Sequence, residues 1–350
     1  MAMTDSAKGP HDYLRAQARW RPFEIAFWLA TLLPFYLFPN YLSLASQIAI
    51  AALFALSLDL ILGYAGIVSL GHAAYFGMGA YTAGLITKPF SVVIHLPILN
   101  LDIPISSAGW GEPLTGLLIA AIAAGLLGYL TSFIIARFRH LALIMITLGI
   151  GFLLHEVANK ASWLTGGADG LQGVRMLPIL NYFRFDLYGY TAYTYSLILL
   201  FLTFLVARRL INSPFGLALR GIRENPIRMP AIGAPSRAHI RKIYTISAAI
   251  AGLAGAILTQ TTSTASLGVI DFQRSADVVV MLVLGGAGQL YGGLIGAIIF
   301  IVARDQFSGI NPQLWFFPMG LLLVAVVVFL PKGILGGLAK LASLFRRGPS

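Results

Sequence analysis

Apolar runs of about twenty residues recur along this chain, at 24–41, 44–62, 63–87, 113–136, 141–159, 192–211, 243–263 and 313–331. A run of that length with almost no charge is what a helix needs to cross the hydrocarbon core of a bilayer, about 30 Å thick. Charged residues make up only 11% of the chain, against about 25% in a soluble domain. The reading is an all-α integral membrane protein. Net charge +11 would suggest a nucleic-acid partner in a soluble protein. Here it is a matter of membrane orientation, and no nucleic-acid-binding module is visible.

The third run is unusual. Residues 63–87, GYAGIVSLGHAAYFGMGAYTAGLIT, carry Gly63, Gly66, Gly71, Gly77, Gly79 and Gly84. Each glycine costs a helix about 1 kcal/mol relative to alanine. Glycine is useful where backbones meet closely or where a helix unwinds beside a cavity. The pattern returns 222 residues later: Gly63, Ala65, Gly66 and Gly71 share their spacing with Gly285, Ala287, Gly288 and Gly293. Two glycine-interrupted apolar segments point to a transport pathway at a repeat interface, although packing between helices uses the same small residues. Ser69, His72 and Tyr75 offer polar groups within the first segment, alongside Gly63, Gly66, Gly71, Gly285, Gly288 and Gly293 as pathway candidates. A lone histidine such as His72 is more often a packing partner than a carrier.

The basic residues orient the chain. Four lie in the N-terminal tail, two at Arg137 and Arg139, eight from Arg208 to Lys242, and four from Lys332 onward. That places eighteen on one side and six on the other when the N-terminus is inside. The C-terminal tail stays inside only if residues 277–303 enter the membrane and return. The expectation is therefore two short half-helices meeting at GGAGQLYGG, added to about eight full spans, for 8–10 crossings with N-in and C-in. The expected layout is a basic tail at 1–23, one membrane domain at 24–336 and a basic tail at 337–350.

Of the outside loops, 88–112 contains four prolines counting Pro113, which suggests irregular backbone or a short surface helix; 160–191 opens on a turn-rich glycine cluster. The longest inside segment, 213–242, begins with an amphipathic pattern: Leu217, Leu219 and Ile222 alternate with Arg220, Arg223 and Glu224, and Pro226 ends it. This segment reads either as a headgroup-binding loop or as a docking helix for a cytoplasmic motor.

Ionisable groups within the apolar runs are Asp59, His72, His155 and Glu156. Thr147, a lone polar residue in its span, is expected to bond back to its own helix. Enzyme constellations are missing. None of the six lysines follows a glycine, so there is no P-loop; no metal-ligand spacing occurs, there is no cysteine, and no cofactor is implied.

Five blocks carry a family resemblance: SLGHAAYFGMGAYTAGL (69–85), LTGGADGLQGV (164–174), LRGIRENPIRMPAIG (219–233), VLGGAGQLYGGLIGA (283–297) and FLPKGILGG (329–337). In order and spacing they resemble the permease subunits of branched-chain amino acid ABC importers, and the TGG and proline–glycine blocks are most similar to the larger, LivM-type permease. The resemblance implies a non-catalytic subunit of the bacterial inner membrane. Its partners would be a second, LivH-type permease, two cytoplasmic ATP-binding subunits and a periplasmic substrate-binding protein. It also implies an ATPase-coupling role for Arg220, Gly221, Arg223, Glu224, Asn225 and Gly233, at segment level, because 224–233 departs from the glutamate-alanine-alanine-x-x-x-glycine loop of many ABC permeases. Related permeases carry urea, amides or aromatic acids. An ion-coupled secondary transporter is the alternative from another class, and a passive channel is suggested only by the faint filter-like GYAG.

Overall fold

The computed structural model describes residues 22–337 apart from 89, 97–100, 108, 180, 181, 187, 331 and 332. The two expected basic tails therefore fall almost wholly outside the described residues. Among the described residues, seven helices are long and apolar enough to cross a membrane. A shorter apolar stretch, Pro22–Leu37, precedes them; its first part is helix α1, Pro22–Ala30, and the chain breaks just before Pro34.

Helix α2, Leu42–Ala65, is the buried mast of the molecule. It ends where Gly66 takes a left-handed conformation (φ 71°) and the Ile67 N–H reaches back to the Ile61 carbonyl at 2.9 Å. This left-handed ending favours glycine because a side chain in this conformation costs about 1–2 kcal/mol. Residues 63–87 do not form the one glycine-rich span that their apolar character predicts. Instead Gly63 belongs to α2, residues 66–72 leave helix, and only Ala73–Thr87 forms the 15-residue helix α3. At 1.5 Å per residue α3 covers about 22 Å, less than the bilayer core.

After α3 comes a departure from the sequence reading. Phe90–Leu96 (β1) and Leu101–Ser107 (β2) pair antiparallel, Val93 opposite Pro104. The prolines suggested irregular backbone, but Ser91–Ile94 and the alternating Ile103 and Ile105 favour strand. Both strands of a two-stranded ribbon are edges, where proline is tolerated.

Helices α4 (Pro113–Ile135), α5 (His140–Lys160) and α6 (Tyr190–Ile211) follow. Glu112 caps α4 by accepting from the Thr115 N–H at 3.3 Å. Short helix α7, Pro214–Glu224, is capped by Ser213, starts on proline and buries Gly216, Leu219 and Ile222. It is the expected amphipathic helix, and it stops before Pro226.

Helix α8, Ser236–Thr262, packs against α2, α3 and α4. The contacts are backbone-close: a Cβ on Gly79 of α3 would lie 2.5 Å from the Gly252 Cα. Small residues at such crossings give dense van der Waals contact where lipid leaves no hydrophobic drive between helices.

The last part is α9 (Phe272–Gly285), α10 (Leu290–Ile310) and α11 (Phe316–Phe329). The expectation is two short half-helices meeting at GGAGQLYGG. Only α9, with 14 residues, is short; α10 has 21 and is long enough to span. The turn between them is as tight as expected, because Gly285, Gly292 and Gly296 let α9 and α10 touch along their backbones.

Candidate functional site

The two glycine-rich breaks meet each other, and they meet beneath α7. Arg220 lays its guanidinium over the Tyr64 ring, 5.5 Å from its centre. One turn on, Arg223 passes Gly66 and donates from Nη1 to the carbonyl oxygen of Gly63. That carbonyl belongs to the last turn of α2, where intrahelical partners run out. A cation there is doubly favoured, by the hydrogen bond and by the negative end of the helix dipole. Gly63 also touches the second break, since a Cβ on it would lie 2.7 Å from the Gly288 Cα. The Gly288 N–H donates to Asp59 Oδ1 at 2.7 Å. Asp59, fully buried, thus sets a carboxylate against the N-terminal end of α10, the complementary arrangement.

Gly288 is left-handed (φ 81°), and the backbone of Gly333, also left-handed, abuts Gly286. Three of the five sequence blocks therefore converge here, the coupling segment, the second glycine motif and the proline–glycine ending, beside the residues that lead into the first. A cavity of about 570 Å³ opens beside them, lined by Gly66, Ile67 and Val68, by Arg223, Glu224 and Asn225, and by Phe138, Arg139, His140, Leu143 and Ile144 at the start of α5.

Deeper in the bundle lies a second polar cluster. His72 Nε2 is 2.9 Å from Ser57 Oγ, and its ring stacks on Phe54. Tyr244 on α8 approaches Ser69 Oγ at 3.4 Å and Tyr75 Oη at 3.1 Å, and Tyr75 also meets Thr131 at 2.7 Å. The first turn of α3 is capped from outside, Ser275 Oγ accepting from the Ala73 N–H at 2.9 Å. Ser69, His72 and Tyr75 are all buried, and their polar groups meet other hydroxyls of the bundle and not an open channel.

The residues singled out from sequence thus separate into groups. Gly63, Gly66 and Gly288 form the junction under Arg223. Ser69, His72 and Tyr75 form the inner cluster. Gly71, Gly285 and Gly293 serve close packing, against Thr147, Gly292 and Ala55 respectively. In the coupling segment, Asn225 Oδ1 accepts from the N–H groups of Ile227 and Arg228, Gly221 faces Met229, and Gly233 makes a left-handed turn. Thr147 does bond back to its helix, at Ile144, and also accepts from the Leu70 N–H at 3.2 Å. Tyr244, Ser57 and Ser275 were not anticipated, because a hydroxyl on a buried helix face carries no signal of its partner. The block at 164–174 closes the opposite end: Leu171 bridges to Ala265, and the Val174 N–H donates to the Ser263 carbonyl at 3.0 Å.

A many-helix membrane bundle, with broken helices tied to an amphipathic helix at one face, has the form of a transport permease. A family model described as the permease component of the branched-chain amino acid transport system matches residues 40–327, and the chain belongs to that family. It is 26% identical over 328 residues to the high-affinity branched-chain amino acid transport permease LivM of Escherichia coli, covering 88% of this chain and 72% of the relative. The LivM protein of Salmonella typhimurium is similar to the same degree. A probable LivM permease of Methanocaldococcus jannaschii is 25% identical over 71% of this chain and 76% of its own length. No solved structure matches the chain.

The protein is accordingly a multi-pass membrane permease and a component of a transport system.

Proposed function

We propose that this chain is the larger permease subunit of an ATP-driven importer in a bacterial inner membrane, moving branched-chain amino acids by alternating access. Its partners are a LivH-type permease, two cytoplasmic ATP-binding subunits and a periplasmic substrate-binding protein. The observation that carries the reading is the Arg223–Gly63 bond beside the Gly288–Asp59 bond. Movement of α7 pulls directly on the end of α2 and, through Gly63, on the break before α10. Glycine contacts of this kind have discrete arrangements, and tight packing resists intermediate ones. The cavity against Gly66–Val68 is the inner mouth of the route, and Ser69, His72 and Tyr75 close it further in.

The same face supports N-in and C-in. Glu24 of α1 pairs with Arg208 at 2.7 Å, next to the coupling segment, and Gly333 lies against Gly286. Both ends of a single membrane domain at 24–336 then lie on the side of the coupling loop, 213–242.

An ion-coupled carrier is the second class, and the geometry favours it less. Glu156 is exposed and paired with Lys160 at 3.2 Å, and Asp59 is engaged with Gly288. No hydrogen bond links Asp59, His72 and Glu156 into a relay among the described residues. Purification of the detergent-solubilised protein from its native membrane tests the proposal. A second permease and two ATPases in the particle support it, and the accompanying binding protein can be screened with branched-chain amino acids, urea, amides and aromatic acids. A single-chain particle that transports without ATP would overturn it.

A further inference from the structure

The cleft between α4, α7 and α8 has a composition that neither coupling nor translocation uses. Its volume is about 530 Å³, and its walls include Tyr129, Leu210, Phe215 and Ile246 together with Arg241 and Lys242. Arg241 is held in place, its guanidinium 4.9 Å from the centre of the Phe133 ring. No acidic side chain lines the cleft, and among the described residues no carboxylate pairs with either cation.

Through Tyr129 the cleft adjoins a stripe of α4. Ile122, Leu126, Tyr129 and Phe133 recur at helical spacing and are all exposed. The stripe belongs to a membrane-crossing helix, so the medium that meets it is acyl chain. Two cations beside an apolar, lipid-facing groove complement one molecule that carries a negative head on an apolar tail.

We propose that this cleft binds an anionic phospholipid. Its headgroup phosphate sits between Arg241 and Lys242, and one acyl chain lies along the α4 stripe. Phe215, in the first turn of the coupling helix, forms one wall, so the lipid also braces α7 against α8 on the side away from Arg223.

The test uses the intact transporter, stripped of lipid in detergent and then exposed to equal amounts of phosphatidylglycerol and phosphatidylcholine. Retained lipid is read by native mass spectrometry. Wild-type complex is expected to keep phosphatidylglycerol in preference. The double variant Arg241→Gln, Lys242→Gln is expected to lose that preference by roughly five-fold for each cation removed. Arg241→Lys should keep most of it. Arg228→Gln with Arg237→Gln, which removes two exposed cations outside the cleft, should leave it intact. Equal retention of the two lipids by wild type, or undiminished preference in the double variant, overturns the proposal. So does no retained lipid at all, which would mean that a partner subunit covers the cleft. Equal competition by glycerol phosphate would reduce the site to a simple anion site and also overturn it.

Discussion

The Arg223 guanidinium donates to the Gly63 carbonyl, 160 residues away in sequence, at the point where α2 runs out of helix. A surface helix is thereby wired to the membrane-embedded break. Next to it Gly288 donates to Asp59, so both glycine motifs belong to one junction.

Asp59 is expected to matter as an acceptor. Asp59→Asn retains an oxygen for the Gly288 N–H and should fold with little loss. Asp59→Leu leaves that buried N–H without its partner, a cost of about 1–3 kcal/mol. Thermal melts of the two variants in detergent check this; equal melting temperatures would remove the bond from the account.

Gly66 and Gly288 should not accept side chains. Both are left-handed, and a Cβ on Gly66 would come within 3.0 Å of the Arg223 side chain. Strain of about 1–2 kcal/mol is expected at each before any steric conflict. Correctly inserted Gly66→Leu and Gly288→Leu proteins should fail to support uptake. Normal uptake by either would contradict a role for the breaks.

The inner cluster gives a prediction on access. The chain has no cysteine, so Ser69→Cys introduces a single thiol at a fully buried position. In the assembled transporter it should be protected from a membrane-impermeant maleimide at rest and should react during ATP turnover. Equal labelling in both conditions would take Ser69 off the route.

Asp186 provides a pH dependence outside the membrane. Partial burial opposes ionisation, but the N–H groups of Thr191 and Tyr190 bond the carboxylate and hold it below its ordinary value of 3.8. A carboxyl depressed on folding stabilises above the unfolded value, and that stabilisation is lost as pH falls through the folded one. Melting temperature should therefore decline below pH 4 in wild type and decline less in Asp186→Asn. Parallel profiles would show that Asp186 does not cap α6.

Much of this was legible in the chain. Apolar length marked the spans from 113 to 262, and amphipathic spacing with Pro226 marked α7, because both signals are local. The glycine echo marked two breaks, but one property of glycine covers two uses. Gly66 and Gly288 turn the chain, whereas Gly71 and Gly293 admit a neighbouring backbone, and only the neighbour distinguishes them. The boundary between α2 and α3 was misplaced because Gly63 is tolerated inside a helix when Gly288 packs on it. The partnership of Asp59 with Gly288, 229 residues apart, has no signature in spacing.

The most direct measurement is uptake against ATP hydrolysis in the reconstituted complex carrying Arg223→Ala. Losing a charged hydrogen bond at the junction should reduce uptake by about ten-fold or more while ATP hydrolysis and subunit assembly persist. Wild-type uptake per ATP hydrolysed would contradict the claim that α7 drives the glycine breaks through Arg223.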